Sequence, residues 1–462
     1  MIHHWDGLLP SLVSGLRAVC AAFPDSRKGR RGNIAMADFG LSAFALFFIQ
    51  SASFLAFQRA LEKGHGRSNC QTLFGIEKIP SDNYIRDMLD AADPALLQPC
   101  FERMEQLLAT PPMRQAFGRL GDRTLIAWDG TEYFCSQKLG CAHCLRRKRA
   151  NGQIESYHTM LAATAVAPGH TKVVPLFPEF IAPQDGAEKQ DCERTAVKRW
   201  HARHGERLFP LHPVYLGDDL FACQPIVTML TEASDDFIFT CKETSHKALY
   251  DFIDGAEPER HEEKIRKGKA VETRRYRWIA DVPLRDGKDA ALVNWIGFET
   301  FDRTGRVKYS SAWVTSLPVD RHNVAEIAAC GRARWKIENE TFNVMKNHGY
   351  ELEHNFGHGE TFLAMTLAAL NLLAFAWHSA PDLLEPKWQA ACDAAAKRSS
   401  FFAHLLTLTS YVVFPSLAGL PRSCGHLHHP PRTAQNRENR MNSPTFRIAG
   451  LPYYGLWILL DA

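Results

Sequence analysis

The chain has 462 residues, 45% hydrophobic and 23% charged; this describes a folded protein of two or three domains and excludes a disordered or collagen-like one. Its 54 Lys and Arg nearly balance 51 Asp and Glu, so net charge alone does not mark a nucleic-acid or membrane-surface protein. The basic residues cluster at 27–31 (RKGRR), 146–149 (RRKR) and 264–277 (KIRKGKAVETRRYR), and such clusters suit phosphate backbones where they are not solvated loops.

Residues 1–118 read as a helical N-terminal domain and a candidate for DNA binding. Within it, 39–57 (FGLSAFALFFIQSASFLAF) is uncharged over nineteen residues, close to membrane-spanning length. Gly40, Ser42, Gln50, Ser51 and Ser53 dilute the run, and Asp38 and Arg59 bound it, so a buried helix is expected and a membrane helix is the alternative. Residues 72–90 form two short helices around Pro80, the second capped by Ser81. They are either an ordinary hairpin or a helix-turn-helix reader presenting Asn83 and Arg86. Twelve cysteines without regular spacing, and an opening MIHHWDGLLP without a basic-then-apolar leader pattern, predict reduced thiols in a cytoplasm.

At Arg123 the pattern changes to strands. TLIAW at 124–128 suits a central strand buried on both faces, and it ends on Asp129. Strands follow at 157–166 and 172–177, joined through Pro168-Gly169, then a helix at 188–207 and a strand PVYLG at 213–217 ending on Asp218-Asp219. A helix from Pro225 and a strand at 237–240 complete the series. Three adjacent strands, helix, strand, helix, strand is the order of a ribonuclease-H-like α/β layer, so 119–244 is read as the first part of such a core. The basic, β-patterned stretch 245–317, with strands at 291–301 and 308–315, is too long for a loop and is read as a β-rich insertion. Residues 318–380 complete the core, with 361–377 as a buried helix. Residues 381–462 form a helical segment, a loose tail at 424–442 and an apolar end at 451–460.

The most informative stretch is 332–359 (RARWKIENETFNVMKNHGYELEHNFGHG). As one helix over 324–346, its apolar stripe passes through Val324, Ile327, Gly331, Trp335, Phe342 and Met345, and Glu338 falls inside that stripe. An inward carboxylate needs a partner: Arg334 one turn earlier, or a divalent metal. Glu340 lies opposite, beside Lys336 at i,i+4, as a solvent-face ion pair. A buried Arg334–Glu338 pair that only fixes packing is the competing reading. Asp129 and Asp218 each close a buried strand, at the edge where ligands of open α/β sheets gather. Three carboxylates in one place repel, and hard divalent cations are the usual remedy; two such ions activate the attacking oxygen and stabilise the leaving oxygen of a phosphodiester. Neither a Walker loop nor a G-x-G-x-x-G after a strand competes.

Arg334-Trp335-Lys336-Ile337-Glu338, with Phe342 and Lys346, resembles the third acidic motif of DDE transposases, specifically the cut-and-paste enzymes of bacterial insertion sequences that carry a Y-R-E-K signature. Arg334 matches the arginine and Glu338 the catalytic glutamate. Gly331 stands where that signature has tyrosine. The lysine falls at Lys346, one residue past the family spacing, where Met345 stands. Trp128-Asp129-Gly130-Thr131 and Gly217-Asp218-Asp219-Leu220-Phe221 extend the resemblance; Asp218, three residues before an aromatic, fits the family aspartate, and Asp219 reads as a turn residue. The resemblance implies Asp129, Asp218 and Glu338 as catalytic metal ligands, Arg334 and Lys346 as DNA-phosphate contacts, and Mg²⁺ or Mn²⁺ as cofactor. It further implies cleavage at terminal inverted repeats of double-stranded DNA and strand transfer by a 3′-hydroxyl. The agent would be a homodimer on paired ends at the bacterial nucleoid, away from any membrane. A DNA-binding protein on the same fold that no longer cuts is the alternative.

Cys141-Ala142-His143-Cys144, with Cys135 and His158 nearby, makes half of a zinc site. Cys192, Cys223, Cys241 or His246 could complete it in space, and free thiols are the alternative. Cys424, His426, His428 and His429 read as part of the tail.

Overall fold

The computed structural model describes residues 7–28, 32–51, 53–183, 192–267, 270–395 and 397–417. The tail at 424–442, the apolar end at 451–460 and residues 29–31 of the first basic cluster lie outside the described residues. The described residues fall into two compact units, one drawn from Met1–Ala22, Arg27–Ile85 and Pro381–Ala462, the other from Phe23–Ser26 and Arg86–Ala380.

In the first unit the uncharged run is two helices rather than one. Met36–Ile49 is buried along its whole length and ends at Gln50 in a left-handed conformation (φ 58°). A second helix starts at Phe54, capped by Ser53, whose hydroxyl accepts the Ala56 N–H at 3.2 Å. Asp38 can be buried at the first helix's start because it accepts the N–H groups of Glu77 (3.2 Å) and Lys78 (3.1 Å) and lies 3.8 Å from Arg17. Asn69 donates to the carbonyls of Thr409 and Val412, both at 2.7 Å, and accepts the Phe414 N–H at 2.9 Å. The Arg398–Tyr411 helix is thereby tied to the Gly64–Phe74 helix.

The second unit is a mixed α/β layer on an open, mostly antiparallel sheet of twelve strands. They are β1 (Gly118–Arg119), β2 (Arg123–Ser136), β3 (Leu145–Lys148), β4 (Ile154–Val166), β5 (Val174–Pro175), β6 (Glu179–Ile181), β7 (Pro213–Gly217), β8 (Asp236–Thr240), β9 (Glu259–Lys267), β10 (Ala270–Pro283), β11 (Leu292–Phe301) and β12 (Val307–Thr315). Neighbours run β3-β4-β2-β7-β8-β12-β11-β10-β9, with β1 on β2 and both β5 and β6 on β4. Only β2–β7 and β7–β8 are parallel among the described pairs. Leu125, Ile126, Ala127 and Trp128 of β2 are all sealed from solvent, which is why this stretch is apolar without alternation. On one face Trp128 stacks on Tyr215 (4.2 Å between centroids) and meets Trp200 of the Glu193–Leu208 helix edge-on (5.6 Å).

The stretch read as an insertion is the helix Lys247–Asp254 followed by the meander β9–β12. It extends the sheet rather than standing apart from it, because β12 pairs with β8 through Trp313↔Thr240 and Val314↔Phe239. The basic run at 264–277 lies on the β9–β10 hairpin, where neighbouring acids match its arginines: Arg274 with Glu272 (2.9 Å), Arg275 with Glu262 (3.5 Å) and Glu299 (3.9 Å). Arg147 pairs likewise with Glu132 (2.6 Å) and Glu155 (2.5 Å), and Arg149 with Glu155 (2.7 Å). Arg147, Arg149, Arg274 and Arg275 are thus each paired with at least one acid. The long apolar helix, Leu363–Leu384, is the one described helix that by itself is long and apolar enough to cross a membrane, and its apolar window is wholly buried inside the protein.

Candidate functional site

Strands β2 and β7 run parallel in register from Thr124↔Pro213 to Ala127↔Leu216. Two residues past the last pair stand Asp129, in the middle of β2, and Asp218, just beyond the end of β7. Strand β2 does not end on Asp129 as expected but continues to Ser136, because its pairing with β4 carries on past the point where β7 stops. A step of two keeps the face, so strand parity sends the Asp129 carboxylate to the Ala127 side, and Asp218 is near enough for its charge to act on it. Asp129 Oδ1 accepts the Gly130 N–H at 3.0 Å, and Asp218 accepts the Leu220 N–H at 2.9 Å. Asp219 is engaged elsewhere, accepting the Lys242 N–H at 2.6 Å and facing His246 at 3.3 Å; it pins the β7 turn to the end of β8. Gly217 makes that turn possible, since a Cβ there would stand 2.6 Å from the Phe221 ring.

The Glu338 segment departs from the single helix expected over 324–346. Val324–Arg332 is α-helical, Ala333–Trp335 tightens to 3-10, Ile337–Phe342 widens to a π-helix, and Asn343–Asn347 is α-helical again. Tight and wide turns shift the helical phase. Ile337 is fully buried in place of Trp335, which is 43% exposed, and Glu338 moves from the core stripe to the rim with half its side chain exposed. Glu338 is therefore not the core carboxylate that a uniform helix predicts. Its expected partner is correct: Arg334 lies 2.7 Å from Glu338 and 3.5 Å from Asp129 Oδ2. One guanidinium thus connects the helix to the middle of β2. Lys336 is buried and donates to the His170 carbonyl instead of making the expected surface pair with Glu340. Lys346 is paired with Glu353 at 2.8 Å, and Arg86 donates from Nε to the Phe356 carbonyl at 2.8 Å. At Gly331 a Cβ would stand 2.8 Å from Trp313 Nε1; the indole fills the room that a tyrosine would need.

A fourth acid was not anticipated. Glu193 opens the helix Glu193–Leu208, where negative charge is favoured by the helix N-terminus. Its carboxylate lies directly over Gly130, whose missing Cβ would fall 2.2 Å from Glu193 Oε1. Only glycine at 130 allows that approach. The glycine that follows Asp129 was the one visible signal. Burial pushes the Asp129 carboxyl up to about 7; Arg334 opposes this, and the charges of Glu338, Glu193 and Asp218 reinforce it. Burial, with the charge of Asp218, also raises Glu193. Arg334 pairs with Asp129 and Glu338, and no second cation opposes the combined charge of Asp129, Glu338, Glu193 and Asp218 among the causes that shift Asp129.

Cys141 and Cys144 meet His158, from the middle of β4, and His358, from the loop before Leu363. Among the described residues this is the only set of three or more His, Cys, Asp or Glu side chains whose donor atoms all lie within 4.8 Å of one another. The acids around Asp129 form no such closed set. His158 was considered as a partner; His358, 214 residues from Cys144, was not, and Cys135, Cys192, Cys223, Cys241 and His246 do not take part. No protein-family model matches the chain, and no curated protein matches it in sequence.

Proposed function

We propose that this protein is a metal-dependent DNA-cleaving and strand-transferring enzyme of the DDE transposase type, on a ribonuclease-H-like core. The observation that carries the proposal is the nearness of three acids: Asp129 and Asp218 each stand two residues past the last β2–β7 pair, and Arg334 pairs with both Asp129 and Glu338. The strand order β5/β6, β4, β2, β7, β8, antiparallel on one side of β2 and parallel on the other, supports the ribonuclease-H-like reading.

The donors suit Mg²⁺ or Mn²⁺, being hard carboxylate oxygens with excess negative charge. Asp129, Asp218 and Glu338 would hold the ions, and Glu193 is near enough for its charge to act on Asp129. Bound there, divalent ions supply activation of the attacking oxygen and stabilisation of the leaving oxygen. Arg334 orients Glu338 and offsets the repulsion among the acids. Cations held there would favour the ionised form of Asp129 over the protonated one. The substrate is double-stranded DNA bearing the element's terminal repeats, and pairing two ends calls for a dimer.

The test uses DNA flanking the gene as substrate, with Mg²⁺ or Mn²⁺. Asp129→Asn, Asp218→Asn and Glu338→Gln should each abolish end cleavage while DNA binding persists; cleavage retained in all three refutes the assignment. A second reading has its own observation, since Arg334 already pairs with both Asp129 and Glu338. A DNA-binding protein that no longer cuts would bind with steep salt dependence and show no metal-dependent turnover in the wild type.

A further inference from the structure

The four side chains Cys141, Cys144, His158 and His358 have the dimensions of a filled coordination shell. With Zn–S near 2.3 Å and Zn–N near 2.0–2.1 Å, a tetrahedral ion sets its donors about 3.8 Å apart for S–S, about 3.4 Å for N–N and about 3.6 Å for S–N. The separations here are 3.7 Å between the two Sγ atoms and 3.3 Å between the two Nε2 atoms. The sulfur–nitrogen distances are 3.5 Å for Cys141–His158, 3.3 Å for Cys144–His158 and 3.3 Å for Cys144–His358; the remaining pair also lies within 4.8 Å. A disulfide does not account for the pair of sulfurs, which stand well beyond the roughly 2.05 Å of a covalent bond.

The surroundings fit the same centre. A carbonyl can only accept, so the 2.8 Å contact between His358 Nδ1 and the Gly359 carbonyl puts the proton on Nδ1 and leaves the Nε2 lone pair facing the cluster. That carbonyl is set by a turn in which Gly359 has φ +68° and a Cβ would lie 2.2 Å from Asp90. The Asp90 carboxylate accepts the N–H groups of Glu360 and Thr361 at 3.0 Å and of Leu363 at 3.1 Å. Tyr133 stacks on the His158 ring, and Phe134 packs on His358 at 4.5 Å between centroids. Cys144, His158 and His358 are each under a tenth exposed. Two thiolates and a divalent ion make a neutral group, which can be buried at little cost where separate charges could not.

We propose that Cys141, Cys144, His158 and His358 bind one Zn²⁺ tetrahedrally and that this ion staples the loop of residues 354–362 to the β2–β4 ladder. Four protein donors leave no open position, so the role is structural rather than catalytic. The site is separate from the acids: His158 pairs near Phe134 and Ala162 opposite Asp129, roughly 15 Å apart along the ladder. The staple joins the strands that carry Asp129 to the segment that follows the Glu338 helix, which local contacts in sequence cannot do. The inference does not depend on the proposed DNA chemistry.

The full-length chain, purified without chelator, should carry about one zinc by elemental analysis and release it when its thiols are blocked by an organomercurial. Cobalt substitution should give the visible bands of a tetrahedral ion and a thiolate-to-metal charge-transfer band. Cys144→Ser and His358→Ala should lose the metal. His143→Ala, whose ring stacks on Phe362 instead, and Asp129→Asn should keep it, the latter separating this site from any cation at the acids. A wild-type chain that holds no zinc after loading and desalting, or variants Cys144→Ser and His358→Ala that keep a full complement, overturns the proposal. Should those two variants fail to fold, wild-type cobalt spectra decide: tetrahedral bands support the site, and an octahedral spectrum overturns it.

Discussion

Replacing Asp129 by Asn tests the electrostatics of the acid cluster independently of catalysis. Burial and three neighbouring carboxylates hold the folded-state value of Asp129 near 7 against an ordinary 3.8, about three units. At about 1.36 kcal/mol each, this sets an upper bound of about 4 kcal/mol. About a fifth of the side chain meets solvent, and screening there brings the expectation to roughly 2 kcal/mol. The sign follows from proton counting. Below about pH 4 both folded and unfolded chains hold the proton; between about 4 and 7 only the folded chain does; above 7 neither does. The wild type should therefore lose about 2 kcal/mol of stability relative to Asp129→Asn as pH rises from about 4 to about 8, with a plateau beyond. Urea unfolding in chelator, followed by tryptophan fluorescence, reads the difference, since Trp128 and Trp200 pack beside this strand. Adding Mg²⁺ at high pH should then stabilise the wild type and not the variant. A wild-type-minus-variant difference that stays flat, or that grows with pH, would mean that Asp129 is already ionised and that the reasoning fails.

The affinity for Mg²⁺, read by calorimetry or Mn²⁺ resonance, should rise with pH through about 7, because cation and proton compete for Asp129. Arg334→Ala removes the one positive charge that lowers Asp129, so the midpoint of that pH dependence should move up by about one unit; an unmoved midpoint refutes the role given to Arg334. Gly130→Ala puts a methyl where Glu193 now lies. Since the carboxylate is the flexible end of its side chain, denaturant unfolding should change by less than about 1 kcal/mol while Mg²⁺ affinity falls about tenfold (about 1.4 kcal/mol). Equal losses in both would make Glu193 a packing residue. Gly331→Ala collides with the Trp313 indole and should cost about 1–3 kcal/mol in thermal or denaturant unfolding.

The buried part of β2 was legible because a segment buried on both faces is apolar without interruption, and TLIAW is that pattern. Its continuation past Asp129 to Ser136 was not, because the polar residues there interrupt the run while pairing with β4 holds the strand. The strand before Asp218 and the i,i+4 relation of Arg334 to Glu338 were legible for the same kind of reason: each depends on spacing within one element. Periodicity could not show that the helix tightens at Ala333–Trp335 and widens at Ile337–Phe342, since it assumes a constant turn. The expected inward Glu338 therefore came out at the rim. Glu193 and His358 gave no such signal. Glu193 comes near Asp129 because the start of its helix lies over the middle of β2 at Gly130, and His358 reaches His158 because a loop 200 residues beyond it returns to the β2–β4 ladder. Sequence by itself determined where the buried apolar segments lie and which polar residues directly follow them. Tertiary structure alone decided which side chains share a site, because backbone periodicity acts over a few residues whereas convergence of distant donors depends on how the chain crosses the sheet.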